Sequence, residues 1–180
     1  SVWRSYVEVT PQAKAIHDLF TAHGETVVND HVAFRTLSNS PVAIGKLETA
    51  LLSLGFRRHA DYVFEKKKLI AHSYIHRDGD IAKIFLSELQ RDQLSAATQE
   101  ILDGLVSQIP ENCAHDPSIF FRGLLWRKPT IGDYRTLLQE SEYAAWLATM
   151  GLRANHFTVS LNQLKHFADL PSVIALLKQH

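Results

Sequence analysis

The chain has 180 residues, 46% hydrophobic and 21% charged, with nineteen basic residues balanced by nineteen acidic ones. This length suits one domain, or one compact domain with an appendage, and the zero net charge with no basic stripe gives nucleic acid no electrostatic footing. The apolar runs are too short for a membrane span and no secretory pattern opens the chain, so the expected location is the cytoplasm.

Thr10-Pro11 starts a first helix, with Thr as N-cap and Pro at the first helical position. Ala13, Ile16, Leu19 and Phe20 continue it at helical spacing, and Gly24 closes it. The segment Asn29-Asp30-His31-Val32-Ala33-Phe34-Arg35-Thr36-Leu37 then reads as a buried strand before a Ser-Asn-Ser-Pro turn. Alternation puts His31, Ala33 and Arg35 on one face and Val32, Phe34 and Thr36 on the other. A histidine and an arginine on an otherwise apolar strand are costly to bury without a partner. A metal on the imidazole and an acid on the guanidinium would supply those partners.

Ser40-Pro41 is expected to open a second helix over Val42–Leu54, with a stripe of Val42, Ile44, Leu47 and Leu51. Three strands follow, at Phe56–Phe64, Leu69–His76 and Asp80–Leu86, with Asp78-Gly79 as a tight hairpin turn between the last two. Residues 27–89 thus form a βαβββ unit. The Lys66-Lys67-Lys68 run reads as a solvated strand end. Residues 90–152 are a mostly helical insertion, with helices over Ser95–Gln108 and Thr130–Met150 and an irregular stretch between them. The aromatic face of Tyr134, Tyr143 and Trp146 reads as core packing.

Asn155-His156-Phe157-Thr158 then repeats the layout of the key strand, and a helix near Pro171–Lys178 follows. His31 can be laid on His156, and Leu51-Leu52 on Leu176-Leu177. The expected architecture is therefore α+β and a single domain over 1–180: an N-terminal helix within 1–26, a first unit at 27–89, the insertion, and the start of a second unit at 153–180. That second start lacks the three strands that complete the first. Unpaired sheet edges are costly, and a fragment of a longer protein, strands lent by another subunit and a vestigial unit are the three explanations; the first is favoured because Leu176-Leu177-Lys178-Gln179-His180 ends where the first copy turns into its second strand.

Paired βαβββ units with a histidine on each first strand resemble the vicinal oxygen chelate superfamily. Asn29–Thr36 is similar to the signature of the 2-oxoadipate dioxygenase/decarboxylase family. Gly24-Glu25, Lys83-Ile84-Phe85-Leu86-Ser87-Glu88-Leu89 and Asn155-His156-Phe157-Thr158 add to the likeness. The resemblance implies a cup-shaped site with iron(II), Fe(2+), as cofactor, His31 and His156 as metal ligands, and Arg35 as the residue that grips a substrate carboxylate. It implies O2 and a 2-oxo dicarboxylic acid (2-oxoadipate) as substrates, with 2-hydroxyglutarate and CO2 as products, in lysine breakdown. The family's third ligand, a late glutamate, has no counterpart here; Glu88 is a weak pseudo-symmetric substitute. Two histidines and a carboxylate on one side of iron leave open positions for a chelating 2-oxo acid and O2.

Other readings compete. Arg35 could pair with Asp30 or Glu48, and His72, Tyr74 and His76 could line the cup, although a solvated face suits them better. The single Cys113 excludes an intrachain disulfide, fits a reducing compartment and has no neighbouring base for a nucleophilic role. A glyoxalase-like isomerase or hydrolase using zinc or nickel, or a small-acid-binding relative without catalysis, would use the same scaffold.

Overall fold

Gly24, with a left-handed φ of 80°, ends the N-terminal helices and turns the chain toward its central strand. A computed structural model describes residues 1–167 and 169–179; Ala168 and His180, both within the expected start of a second unit, lie outside the described residues. Its helices and strands are α1 (Val2–Val9), α2 (Pro11–Ala22), β1 (Asn29–Leu37), α3 (Ile44–Ser53), β2 (Phe56–Phe64), β3 (Leu69–His76), β4 (Lys83–Leu89), α4 (Ala96–Val106), α5 (Ile131–Glu140), α6 (Glu142–Met150), β5 (Ala154–Val159) and α7 (Leu170–Gln179). One mixed sheet runs in the order β2-β3-β4-β1-β5. β1 pairs parallel with β4 and antiparallel with β5, and the β2-β3 and β3-β4 pairs are antiparallel. The α+β architecture and the βαβββ order over β1–β4 are those expected from the sequence.

One sheet face is sealed by apolar packing. Val32, Phe34, Leu86 and Tyr74 are almost inaccessible and join Leu47 and Leu51 of α3 in the main core. Phe34 meets Phe120 from a short 3-10 helix in the insertion, with ring centroids 4.9 Å apart. On β5, Phe157 packs against Trp3 and Tyr6 of α1, each ring centroid 5.1 Å away. That helix precedes the first element expected from the sequence, and Ser1 caps its N-terminus. A second small cluster joins Phe20 of α2 to Val173 and Leu176 of α7.

Several boundaries differ from the sequence reading, each for a local reason. α3 begins at Ile44, not Val42, because Ser40 and Pro41 form a turn in which the Ser40 hydroxyl donates to the Leu37 carbonyl. The N-terminus of α3 is met instead by the buried Glu88 carboxylate, which accepts from the Ile44 N–H at 2.6 Å. β4 starts at Lys83, three residues later than expected. Asp78 takes part in side-chain turns with His76 and Asp80, so a longer loop replaces the tight hairpin. The single helix expected over Thr130–Met150 breaks at Ser141, whose backbone is extended and whose hydroxyl accepts from Ala144 N to cap α6. Gly151 then turns the chain from α6 into β5 at a φ of 71°; a Cβ there would lie 2.2 Å from the Gly123 carbonyl oxygen.

Candidate functional site

The face of β1 opposite the core carries the polar side chains. His31 is registered with Thr158 of β5 and Lys83 of β4, Ala33 with His156 and Phe85, and Arg35 with Ser87. Alternation therefore gathers His31, Arg35 and His156 on one face from two adjacent antiparallel strands. A cavity of about 410 Å³ opens there, lined by Arg35, Phe85, Ser87, Tyr143 and His156, with the turn between β2 and β3 across it. The Lys66-Lys67-Lys68 run forms part of that turn, so it borders the cavity rather than merely ending a strand, and Lys68 pairs with Glu140 at 3.0 Å.

The His31 and His156 rings lie 5.7 Å apart, centroid to centroid, and are inclined at 77°. Each ring is oriented through Nδ1. His31 Nδ1 lies 2.9 Å from Asp30 Oδ2 and 2.9 Å from Thr158 Oγ1, while His156 Nδ1 lies 2.9 Å from Asn155 Oδ1. The Asp30 carboxyl is held below its ordinary value by the hydrogen bond from His31 and by Lys83, against the opposing effect of burial. A carboxylate and an amide oxygen can only accept, so Nδ1 of each ring is the donor and Nε2 is the atom through which a neutral ring would ligate a metal. Burial pushes the His156 pKa down, and the nearby His31 and Arg35 add to that, favouring the neutral ring that ligates metals. An outer acceptor on each imidazole is the arrangement that orients histidine ligands. The donor set therefore fits two of the positions of an iron(II) centre. Among the described residues, no third His, Cys, Asp or Glu completes a ligand set with them.

Arg35 is held differently. Its guanidinium carbon sits 4.7 Å from the Tyr143 ring centroid and 4.9 Å from that of Trp146. Its side chain is 19% exposed, and Nη1 is buried with no hydrogen-bond partner. The nearest carboxylate is that of Glu142, 4.0 Å from Nη1 and itself 79% exposed. Burial pushes the Arg35 pKa down, offset in part by Tyr143 and Glu142, and a guanidinium stays charged through a shift of that kind. Neither Asp30 nor Glu48 is its partner, contrary to one competing reading. Asp30 serves His31 and Lys83, and Glu48 accepts from the Tyr74 hydroxyl at 2.7 Å.

Other expectations change too. Tyr74 lies neither in the cup nor in solvent: it faces α3, fully buried, and burial beside Glu48 pushes its pKa up. His72 shares that side with Asp61, 2.9 Å away, and His76 Nε2 meets the Leu54 carbonyl oxygen at 2.9 Å. Glu88 is turned away from the imidazoles to the end of α3, which removes it as a substitute ligand. The Glu25 carboxylate, next to Gly24, accepts from the Lys165 and His166 N–H groups and pins the segment that follows β5.

Comparison with known proteins gives a consistent picture. No protein-family profile matches the chain. A 2-oxoadipate dioxygenase/decarboxylase of Oryza sativa is 31% identical over 180 aligned residues, 93% of this chain and 49% of that protein. Its Arabidopsis thaliana counterpart is 29% identical, covering 89% and 47%. Among solved structures, a candidate hydrolase from Shewanella frigidimarina is 39% identical with a TM-score of 0.92, covering 99% of this chain and 69% of that one. The hydroxyglutarate synthase of Oryza sativa, solved in complex with 2-oxoadipate, gives a TM-score of 0.87 at 29% identity, with 99% and 60% covered. Along nearly its whole length this chain is similar to proteins of the 2-oxoadipate dioxygenase/decarboxylase family. A candidate glyoxalase-superfamily protein of Ralstonia eutropha, with a TM-score of 0.70 at 26% identity over 83% of this chain and 56% of that one, ties the fold to the wider superfamily. The chain spans about half the length of the curated family members it matches.

The family signature accounts for His31, Arg35 and His156. It does not point to Tyr143 and Trp146, which periodicity alone files as core residues. Nor does it show that Asp30, Thr158 and Asn155 aim the two imidazoles. Neighbours on a regular strand face opposite sides, so the adjacency of Asp30 to His31 and of Asn155 to His156 does not by itself predict these contacts. Register shifts fall at both places, between Asn29 and His31 on β1 and beside Asn155 on β5.

Proposed function

We propose that this chain supplies two imidazole ligands, His31 and His156, and a carboxylate-gripping Arg35 to an iron(II) site acting on a 2-oxo dicarboxylic acid. The observation that carries this is the convergence, on one sheet face, of two rings 5.7 Å apart, both aimed through Nδ1, with a buried guanidinium whose Nη1 has no partner. The substrate by this reading is 2-oxoadipate, and the site's third, carboxylate ligand comes from outside the described residues. Iron(II), held by His31 and His156, would supply O2 activation and Lewis-acid polarisation of the 2-oxo group. The reaction balances as a dioxygenase/decarboxylase: C1 leaves as CO2, the former keto carbon gains one oxygen to become a carboxyl, and its neighbour gains the other as a hydroxyl. The product by this reading is 2-hydroxyglutarate, a step in lysine breakdown.

The protein's own contribution is placement. Arg35 lies four residues from His31 along β1, about 13 Å at the strand rise before either side chain reaches back. A six-carbon diacid spans the remaining gap, with its 2-oxo end toward the imidazoles and its far carboxylate on the guanidinium. Phe85 and Phe64 border the same cavity and exclude water from the carbon chain between them. No helix among the described residues is long and apolar enough to cross a membrane, and Cys113 is buried and unpaired. A reducing compartment such as the cytoplasm suits a buried thiol of this kind.

The test is oxygen consumption by the protein reconstituted anaerobically with iron(II), then mixed with 2-oxoadipate and air. Stoichiometric loss of O2 with release of CO2 and 2-hydroxyglutarate supports the reading. Turnover that needs zinc or nickel and leaves O2 untouched replaces it with the isomerase or hydrolase alternative. Acid binding that survives chelation, without turnover, replaces it with a binding module.

A further inference from the structure

Arginine has a flexible stem, and an exposed guanidinium samples many positions before it meets a carboxylate. Arg35 is not free in this way. Two aromatic rings from the first turns of α6 face its guanidinium, that of Tyr143 at 4.7 Å and that of Trp146 at 4.9 Å. Tyr143 is itself immobile: its hydroxyl donates to the Ser87 carbonyl at 2.6 Å and accepts from the Thr36 N–H at 2.9 Å, so it is bolted to both β4 and β1. Trp146 lies one helical turn further on and is only half-buried. Rings over the faces of a guanidinium leave its N–H edge as the only direction for hydrogen bonding. Arg35 borders the cavity that His156 also lines, and its buried Nη1 has no hydrogen-bond partner.

We propose that Tyr143 and Trp146 are positioning residues that clamp the Arg35 guanidinium edge-on to the cavity, and that this clamp sets the preference of the site for an acid with a second, distal carboxylate. The inference rests on the acid-binding reading of Arg35 given above. It adds what that reading lacks, the device that turns a charged side chain into a selective one. An unclamped arginine attracts any anion; a fixed fork rewards a planar carboxylate at one distance from the metal end. The break at Ser141 belongs to the same device, because it starts α6 at the point that brings both rings over Arg35.

The experiment is anaerobic calorimetry on the iron(II)-loaded protein with two acids, 2-oxoadipate and 2-oxohexanoate, which share the 2-oxo end and differ in the distal carboxylate. Trp146→Leu is expected to weaken 2-oxoadipate by about two- to thirty-fold while leaving 2-oxohexanoate unchanged, the range set by one cation–π contact. Trp146→Phe, which restores a ring face, should recover most of the loss. The Arg35 Nε–Hε resonance reports the clamp directly, since its ring-current shift should shrink in Trp146→Leu, where the Tyr143 ring alone remains, and be largely kept in Trp146→Phe. Equal weakening of both acids, or a reduced ring-current shift with 2-oxoadipate affinity intact, overturns the proposal. Equal affinity of the unmodified protein for the two acids overturns the acid-binding reading of Arg35, and the clamp with it.

Discussion

Replacing Arg35 with lysine separates substrate binding from metal binding and from folding. The guanidinium presents a two-pronged edge, and lysine presents one strongly hydrated point charge. Losing one charge-assisted hydrogen bond costs about 1.5–3 kcal/mol, and losing the stacking on Tyr143 and Trp146 adds about 0.5–1 kcal/mol. The sum, about 2–4 kcal/mol, corresponds to a roughly 30- to 1,000-fold rise in Kd for 2-oxoadipate. Folding should respond differently. Nη1 is buried without a partner, which costs the fold, while the stacking on Tyr143 and Trp146 supports it. Arg35→Lys loses both, so it is expected to melt close to the parent. Anaerobic calorimetry with 2-oxoadipate, iron content by metal analysis, and a thermal melt read the three quantities from one preparation. Unchanged affinity, or iron loading that collapses together with affinity, would refute the assigned role.

Three further substitutions probe the supports of the site. Tyr143→Phe keeps the ring beneath Arg35 but strands the Thr36 N–H, so urea denaturation should show about 1–3 kcal/mol of lost stability with the preference for the diacid retained; loss of that preference at unchanged stability would contradict the assignment. Glu88→Ala removes the carboxylate that meets Ile44 N and should cost a similar amount without altering iron content; a fall in iron content would restore Glu88 as a ligand. Glu140 is held down to about 2 by hydrogen bonds from Ser95, Thr98 and Lys68. Its folded value lies below the unfolded one near 4.3, so its contribution is complete above that pH and disappears as pH falls toward 2. The group is partly exposed, which limits the effect to about 1 kcal/mol. Glu140→Gln should flatten the fall in stability across that acid window, and an identical pH profile in both proteins would count against it.

The sequence was most legible where the period-two pattern is strong and the surroundings are local. β2 and β3 lie over the residues expected of them, and the alternation along β1 separates His31 and Arg35 from Val32 and Phe34. Boundaries set by distant partners were not legible. α3 starts where Glu88, 44 residues away, meets its first turn. Ser141 interrupts what periodicity alone continues, because a capping hydroxyl there competes with the helix interior. The partners of Arg35 were hidden for the same reason. The sequence offers it acid partners such as Asp30 and Glu48, whereas the fold brings two aromatic side chains from a helix whose Tyr143 lies 107 residues beyond Thr36. Long-range contacts of this kind leave no spacing signal, and one sequence carries the family signature but not the clamp behind it.

The account depends most on His31 and His156 sharing one iron ion. Electron spin echo spectroscopy of the iron(II)–nitrosyl adduct, which resolves nitrogen nuclei coupled to the metal, measures this directly. Two coupled imidazole nitrogens are expected in the unmodified protein, one in His31→Ala and one in His156→Ala, with both retained in Arg35→Lys. A spectrum without imidazole coupling, or coupling that survives both histidine substitutions, would contradict the shared site.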